Sequence, residues 1–248
     1  MTEPSAADER VESFTTTDGV LLRATRIVTG SRRVVLVAPG IFMHRGSIEH
    51  RVLARRLAGL ADVVTLDIRG HGDSGGAFSW GVREPEDVAA VAATLRRTYD
   101  RVGGLGFSFG GHHVGLAAAR HRAFDAVALV AAPRNLFLLD HNFLTAGLLR
   151  SAPLILRRRR RRTRLALPIR PPASLARVVD RIAPTPLLIA HGRADWLIPP
   201  RHAQVLYARA GEPKSLVLIE RGLHAENILA DEPEPLFAAL EAFLRTRL

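Results

Sequence analysis

Two kinds of segment alternate along most of the chain. Short continuous apolar runs are typical of strands that are buried on both faces of a sheet. Between them lie segments in which apolar residues recur every three or four positions, the spacing of amphipathic helices. The apolar runs are Arg33–Ala38, Asp62–Ile68, Ala126–Val130, Pro186–Ala190 and Ser215–Glu220, and the helical segments are Ser47–Leu60, Pro85–Tyr99, His202–Ala210 and Pro235–Arg247. This alternation predicts an α/β fold with a mostly parallel sheet and helices on both faces.

Two parts of the chain depart from this alternation. Residues 1–9 are predicted to be disordered, and the β-prone runs within Val11–Val28 flank the turn signal Asp18-Gly19, which predicts a hairpin. Residues 134–183 break the rhythm and predict an inserted arginine-rich cap followed by a short helix at Ser174–Ile182. Residues 1–248 are otherwise expected to form one domain, as α/β chains of this length often do.

The pentapeptide Gly106-Phe107-Ser108-Phe109-Gly110 has the pattern G-x-S-x-G. It lies between a short apolar strand candidate and a helix candidate rich in small residues, the setting in which a serine occupies a strained strand-to-helix turn with its hydroxyl exposed. The helix N-terminus behind the serine favours negative charge. The pattern predicts a nucleophile at Ser108, and its alternative is a glycine-rich turn without chemistry.

Residues that follow the other strands offer partners for Ser108. In parallel sheets the chemistry gathers at the carboxyl ends of the strands, where the chain places Asp195 and His224. A serine hydroxyl needs a base to take its proton, and the base needs a carboxylate to orient it. The alternatives are an ordinary turn aspartate and a loop histidine. The chain order of serine, aspartate and histidine is that of the α/β-hydrolases.

On these motifs the chain resembles the α/β-hydrolase-fold serine hydrolases, and is similar to their esterase, lipase and serine-aminopeptidase-like members. The resemblance covers Val11 to Leu248 apart from the arginine-rich insert. It implies a mostly parallel central sheet with helices on both faces and a small cap insertion after the sixth strand. The motifs that carry it are Gly106–Gly110, Asp67–Ser74, His191–Pro199 and Gly222–His224.

The resemblance implies a serine hydrolase that cleaves a carboxylic ester through an acyl-enzyme, without a cofactor. Ser108 is then the nucleophile, His224 the base and Asp195 the carboxylate that orients it. The same triad also serves thioesterases, peptidases or amidases, C–C hydrolases and acyltransferases, because the fold does not determine the substrate.

The oxyanion hole and the substrate pocket are also implied by the resemblance. Many relatives have His-Gly after the third strand, whereas this chain has Pro39-Gly40. The first oxyanion amide is expected at Ile41, with Phe42 as the competing register, and the second at Phe109. An apolar pocket would favour a small-molecule ester with an apolar acyl group. Its expected residues are Phe42, Met43, Phe107, Trp196 and Leu223.

The formal net charge of +11 raises binding to polyanions as a further function. Lys214 is the only lysine among 35 basic residues, and the arginines are scattered along the chain, which argues against specific nucleic-acid recognition. Residues Arg157 to Arg162 are six consecutive arginines. This run is interpreted as a solvated cap face, as a surface for an anionic membrane or nucleic acid, or as an aid to acidic substrates. A non-catalytic protein that binds membranes or polyanions through this cap is the rival interpretation.

Composition bounds the remaining possibilities. The absence of cysteine excludes thiolate metal sites, and Asp67 and Asp73 are expected to build a loop, so that no metal site is predicted. The polar, acidic N-terminus differs from a signal peptide, and no apolar stretch has the length of a membrane span, so a cytoplasmic location is expected. Nothing in the sequence indicates an oligomeric state.

Overall fold

A computed structural model describes residues 8–136, 163–167 and 173–248. Its centre is a sheet of eight strands in the spatial order β1-β2-β4-β3-β5-β6-β7-β8. The strands are β1 (Asp8–Thr15), β2 (Leu21–Val28), β3 (Arg33–Ala38), β4 (Asp62–Leu66), β5 (Arg101–Phe107), β6 (Ala126–Val130), β7 (Leu187–Gly192) and β8 (Lys214–Ile219).

Strand direction divides the sheet into two parts. β1 pairs antiparallel with β2, and β2 pairs antiparallel with β4. Every other pairing is parallel, from β4 through β3, β5, β6 and β7 to β8. The predicted hairpin and the mostly parallel sheet are thus confirmed, whereas the predicted disorder of residues 8 and 9 is wrong because both belong to β1.

Helices connect the parallel strands and cover both faces of the sheet. The described helices are α1 (Ile48–Leu57), α2 (Glu84–Leu95), α3 (Phe109–His121), α4 (Arg201–Arg209), α5 (Glu226–Asp231) and α6 (Pro233–Arg247). The helix predicted over Ser174–Ile182 is instead two 3₁₀ turns, Leu175–Arg177 and Val179–Ile182. The short helix α5 was not predicted from the sequence.

The sheet separates two apolar clusters. Along β3, Val34 and Leu36 belong to the cluster that includes residues of α2 and α3, while Val35 and Val37 belong to the cluster that includes residues of α1 and α6. This alternation is the two-residue period of a strand with both faces covered. The prediction from the continuous apolar runs, that both faces of the sheet are buried, is therefore confirmed.

Helix α1 presents a different face to the core than its apolar pattern indicates. The apolar side chains of Ile48 and Val52 are 74% and 47% exposed, whereas His50 is fully buried. The apolar spacing within Ser47–Leu60 predicts that Ile48 and Val52 lie on the buried face, and the structure corrects this prediction. This rotation brings the imidazole of His50 into the interior, close to the carboxyl ends of the strands.

Residues 163–167, a described piece of the predicted cap, are attached to the loop that follows β4. The amide of Phe78 donates to the carbonyl of Arg164 at 2.7 Å, and the amide of Ala166 donates to the carbonyl of Phe78 at 2.9 Å. Most of the segment predicted as a cap, including Arg157 to Arg162, lies outside the described residues. Among the helices that the structure describes, none is long and apolar enough to cross a membrane.

Three buried histidines surround Phe78 and the start of α3. The rings of His71 and His113 pack against Phe78 with centroid distances of 5.2 Å and 5.8 Å. Within the described residues, neither ring nitrogen of His113 has a hydrogen-bond partner. Burial lowers the pKa of His71 to about 4 and that of His113 to about 3, and it also lowers the pKa of His112. These imidazoles are therefore neutral in the folded protein.

Replacing His113 with leucine should make the fold less sensitive to acid. The unfolded chain protonates His113 near its ordinary pKa of 6.5 and the folded chain only near 3, so wild-type stability falls as the pH drops through this window. One proton corresponds to about 1.4 kcal/mol per pH unit. Urea unfolding between pH 6.5 and pH 4 measures the free energy of unfolding of both proteins. We expect it to fall less steeply with decreasing pH in His113→Leu than in wild type, by about 1.4 kcal/mol per pH unit.

The matched control is His121→Leu, at the exposed C-terminal end of the same helix. Equal pH dependence in the two variants would contradict the assignment of acid sensitivity to the buried imidazole.

Candidate active site

Ser108 occupies the tight turn between β5 and α3. Its backbone has φ +50° and ψ −120°, a conformation that residues other than glycine rarely adopt. The turn is close-packed, because a Cβ at Gly106 would collide with the backbone of Gly110, and one at Gly110 would collide with the carbonyl of Ala38. The two glycines of the sequence pattern are thus required by backbone contact. The resulting turn holds Ser108 at the carboxyl edge of the sheet.

His224 lies in the loop that follows β8 and reaches Ser108. Its Nε2 lies 2.9 Å from Oγ of Ser108. The side chains are largely shielded, with 4% of Ser108 and 8% of His224 exposed. A base at hydrogen-bond distance from a serine hydroxyl is the first requirement for activating it as a nucleophile.

Asp195 lies after β7 and completes the chain of contacts. Its Oδ2 lies 2.7 Å from Nδ1 of His224. Its Oδ1 accepts hydrogen bonds from the amides of Leu197 at 2.9 Å and Ile198 at 2.8 Å. Both carboxylate oxygens therefore have partners, and these fix the orientation of the carboxylate towards His224.

His191, the next-to-last residue of β7, supports Asp195 from the other side. Its Nε2 donates to the carbonyl of Ile198 at 2.7 Å and lies 3.2 Å from Oδ2 of Asp195. Burial opposes ionisation of Asp195, but His224 and His191 outweigh it and hold the pKa of this carboxyl well below its usual range. Asp195 is therefore ionised and can stabilise a positive charge on His224.

The loop between β3 and α1 lies beside the serine. The amide of Met43 donates to the carbonyl of Gly40 at 3.1 Å, which closes a turn in which Phe42 has φ +66°. A Cβ at Gly40 would lie 3.3 Å from Cβ of Ser108. The structure thus brings the segment predicted to hold the first oxyanion amide next to the nucleophile. The choice between Ile41 and Phe42 stays a prediction.

The second predicted donor, Phe109, is the first residue of α3. Amides in the first turn of a helix have no intrahelical acceptor. The amide of Phe109 is therefore suited to receive negative charge next to Ser108, although its side chain is buried in the core.

The residues predicted to bind substrate differ in accessibility. Phe42, Trp196 and Leu223 are partly exposed. Phe107 is fully buried in the apolar cluster beneath the sheet, and its ring packs edge-on against His50 at 5.3 Å. Met43 is only 3% exposed. The structure therefore corrects the assignment of Phe107, which is a core residue that supports the serine turn.

Asp67 and Asp73 belong to loop architecture. Asp67 accepts hydrogen bonds from the amides of Arg45 at 2.6 Å and Asp73 at 2.9 Å, and the side chain of Arg45 binds Asp73 at 2.7 Å. Across the three described ranges of the chain, no group of histidine, aspartate and glutamate side chains has the geometry of a metal site.

Two buried polar residues near the site were missed by the sequence analysis. Glu226 lies two positions after His224, and His50 lies on α1; their side chains are 3.2 Å apart. The available signal was a carboxylate two positions after the predicted catalytic histidine, shortly before the apolar residues Ile228 and Leu229. Nothing in the local pattern identifies its partners, which lie more than one hundred residues away in the chain.

Comparison with known proteins finds sequence similarity over part or most of the chain. The family model for X-Pro dipeptidyl-peptidase (S15 family) matches residues 58–160, which is less than half of the chain. The uncharacterized protein YfhR of Escherichia coli (strain K12) is 49% identical over 48 residues, a match that spans 17% of that protein. YfhR of Salmonella typhimurium is 28% identical over 238 residues, covering 90% of this chain and 77% of that protein.

Solved structures share the fold over nearly the whole chain. The esterase Pf2001 of Pyrococcus furiosus superposes with a TM-score of 0.80 at 20% identity, covering 97% of this chain and 91% of that chain. The α/β hydrolase GrgF from Penicillium sp. sh18 gives a TM-score of 0.82 at 18% identity, covering 97% and 99%. The predicted fold class is confirmed by these likenesses.

Replacing Ser108 with glycine should stabilise the fold relative to Ser108→Ala. Both variants lack the hydroxyl, but alanine keeps the Cβ that strains a backbone at φ +50°. Releasing the strain is worth about 1 kcal/mol after the extra flexibility of glycine in the unfolded chain is subtracted. Chemical denaturation of the two variants measures the difference, and equal stability would show that the turn is unstrained.

Proposed function

Because this chain is an α/β-hydrolase by fold, we propose that it is a serine hydrolase that cleaves carboxylic esters through an acyl-enzyme. The observation that carries the proposal is the continuous contact from Ser108 Oγ to His224 Nε2 at 2.9 Å and from His224 Nδ1 to Asp195 Oδ2 at 2.7 Å. A nucleophile, a base and a carboxylate in this geometry can perform acyl transfer on unrelated folds.

In the first half of the reaction, Ser108 Oγ forms a bond to the carbonyl carbon while its proton passes to Nε2 of His224. The ester then loses its alcohol, which receives this proton from His224 as the C–O bond breaks. The product is an acyl group on Ser108. In the second half, water attacks the acyl carbon and gives one proton to Nε2 of His224. His224 passes this proton to Oγ of Ser108 as the acyl C–O bond breaks and the carboxylic acid leaves.

Two features of the site stabilise the charges that develop. The ionised Asp195 faces the imidazolium form of His224 and lowers its energy. The amide of Phe109, with that of Ile41 or Phe42, would bind the oxyanion of the tetrahedral intermediate. A single oxyanion donor is typically worth about 3 kcal/mol of transition-state stabilisation.

The proposed substrate is a small ester with an apolar acyl group. The partly exposed Phe42, Trp196 and Leu223 would line its path, and the similarity to the Pyrococcus furiosus esterase supports ester chemistry. Peptidase activity on X-Pro substrates is the second candidate, because the dipeptidyl-peptidase family model matches residues 58–160, which include the serine turn. Binding of an anionic membrane through Arg157 to Arg162 remains a separate proposal on residues that the structure does not describe.

A fluorophosphonate should form one covalent adduct on the wild-type protein. Such a reagent phosphonylates an activated serine and requires no knowledge of the natural substrate. Intact mass should show the adduct lost in Ser108→Ala and formed at least about a hundredfold more slowly in His224→Ala, because the serine then lacks its base. Folded wild type without an adduct would refute the proposal and favour the non-catalytic polyanion-binding interpretation.

A substrate panel should separate esterase from peptidase activity. We expect p-nitrophenyl esters with acyl chains of four to eight carbons to be hydrolysed with a higher kcat/KM than the acetate ester, because apolar surface is buried with each added methylene. X-Pro p-nitroanilides test the second candidate. Faster cleavage of the anilide than of every ester would reverse the order of the two candidates, and Ser108→Ala supplies the blank for both.

A further inference from the structure

Glu226 is a buried carboxylate that the proposed triad does not use. It is the first residue of α5 and is only 4% exposed. Taking a carboxylate out of water is costly unless hydrogen bonds or charges compensate it. The partners of Glu226 therefore indicate what the residue does in this position.

Both partners of Glu226 belong to the surroundings of the nucleophile. Its Oε1 accepts a hydrogen bond from the amide of Gly40 at 2.7 Å and lies 3.2 Å from Nε2 of His50. A Cβ at Gly40 would lie 2.9 Å from Oε1 of Glu226 and 3.3 Å from Cβ of Ser108. Gly40 is thus held between the carboxylate and the serine, which leaves no room for a side chain.

The backbone between His224 and Glu226 is strained in a way that directs both side chains inward. Ala225 has φ +44° and ψ −111°, and the amide of Asn227 donates to the carbonyl of His224 at 2.9 Å. This tight turn presents His224 to Ser108 and Glu226 to Gly40. A non-glycine residue in this conformation persists only where its surroundings enforce it, and such residues cluster at functional sites.

The loop between β3 and α1, which contains Gly40, is held at its other end by a second carboxylate. Asp67 accepts the amide of Arg45 at 2.6 Å. His50, whose ring packs against Phe107 at 5.3 Å, ties Glu226 to the residue that precedes Ser108. The loop that carries the expected oxyanion donor is therefore held at one end by Glu226 and at the other by Asp67.

We propose that Glu226 is a positioning residue that holds the amide of Gly40, fixes the oxyanion loop beside Ser108 and stabilises the imidazolium of His224 with its charge. This inference rests on the proposed serine-hydrolase function. Burial opposes the charge of Glu226, but His50, the amide of Gly40 and His224 together lower the pKa of its carboxyl below the usual range. Glu226 is therefore an anion when His224 acts as the base.

The charged and titratable groups around His224 define what a pH experiment reports. Asp195 binds Nδ1 of His224, and His191 acts on it through Asp195. Glu226 lies on its own turn, and His50 contributes from α1 through Glu226. Removing the charge of Glu226 leaves the contact between Asp195 and His224 in place. A resulting shift in the pKa of His224 is therefore attributed to Glu226.

The test compares Glu226→Gln and Glu226→Ala with the control Asp231→Asn, which removes an exposed carboxylate from the same helix. Rates with a p-nitrophenyl ester give kcat, KM and the pH profile of kcat/KM. We expect Glu226→Ala to lower kcat about 10- to 100-fold with KM changed by less than about threefold, because a misplaced oxyanion donor acts on the transition state.

Glu226→Gln keeps an oxygen that can accept from Gly40 and removes only the charge. We expect its kcat to fall less than that of Glu226→Ala, and the acidic limb of its kcat/KM profile to move down by about half to one pH unit, since the imidazolium of His224 loses a nearby anion. Asp231→Asn should match wild type in both measurements.

The outcomes distinguish failure of the proposed serine-hydrolase function from failure of the proposed role of Glu226. Wild type that fails to react with a fluorophosphonate removes the proposed function and this inference with it. Reactive wild type with Glu226→Gln indistinguishable from Asp231→Asn overturns the inference alone. A lower melting temperature without a change in the acidic limb would likewise overturn it, by showing a merely structural role. If Glu226→Ala does not fold, as judged by circular dichroism, Glu226→Gln decides the question.

Discussion

The left-handed backbone of Ser108 is the constraint on which the rest of the site depends. Such a conformation costs about 1–3 kcal/mol and must be enforced by the structure around it. The amide of Ser108 donates to the carbonyl of Val130 in the neighbouring strand β6 at 2.8 Å, and β5 and α3 hold the turn from either side. Gly106 and Gly110 let these elements approach to backbone contact. The packing of the buried sheet and helix thereby offsets the free-energy cost of the strained turn.

The parallel sheet explains why residues distant in the chain meet at Ser108. β5, β7 and β8 run in the same direction, so the residues that follow them emerge at one edge. Ser108 and Asp195 follow β5 and β7, and His224 follows β8. The formal charge of the chain is +11, yet the site contains two buried carboxylates whose charges are met locally by imidazoles and amides. Local pairing therefore sets the electrostatics of the site.

The sequence specified those features that depend on local pattern. β3 and β6 begin and end where their apolar runs do, because burial of both faces requires continuous hydrophobicity. The position of helix α1 along the chain was predicted correctly but its buried face was not, because apolar spacing gives no signal for the buried His50, whose Nε2 lies 3.2 Å from Glu226. Glu226 was missed for the same reason: its partner Gly40 lies 186 residues away in the chain. The spacing of apolar residues predicts the burial of apolar side chains, but it does not identify pairs of buried polar groups.

The departure of this chain from the His-Gly pattern has a physical counterpart in the loop after β3. Pro39 has no amide hydrogen, and the amide of Gly40 is used by Glu226. The amide of Met43 is used within the turn, where it donates to the carbonyl of Gly40. In the described part of this loop between Pro39 and Met43, the amides without such a role are those of Ile41 and Phe42, the two registers that the sequence left open. The turn that contains both amides, with Phe42 at positive φ, therefore begins at the residue whose amide is bound by the buried carboxylate of Glu226.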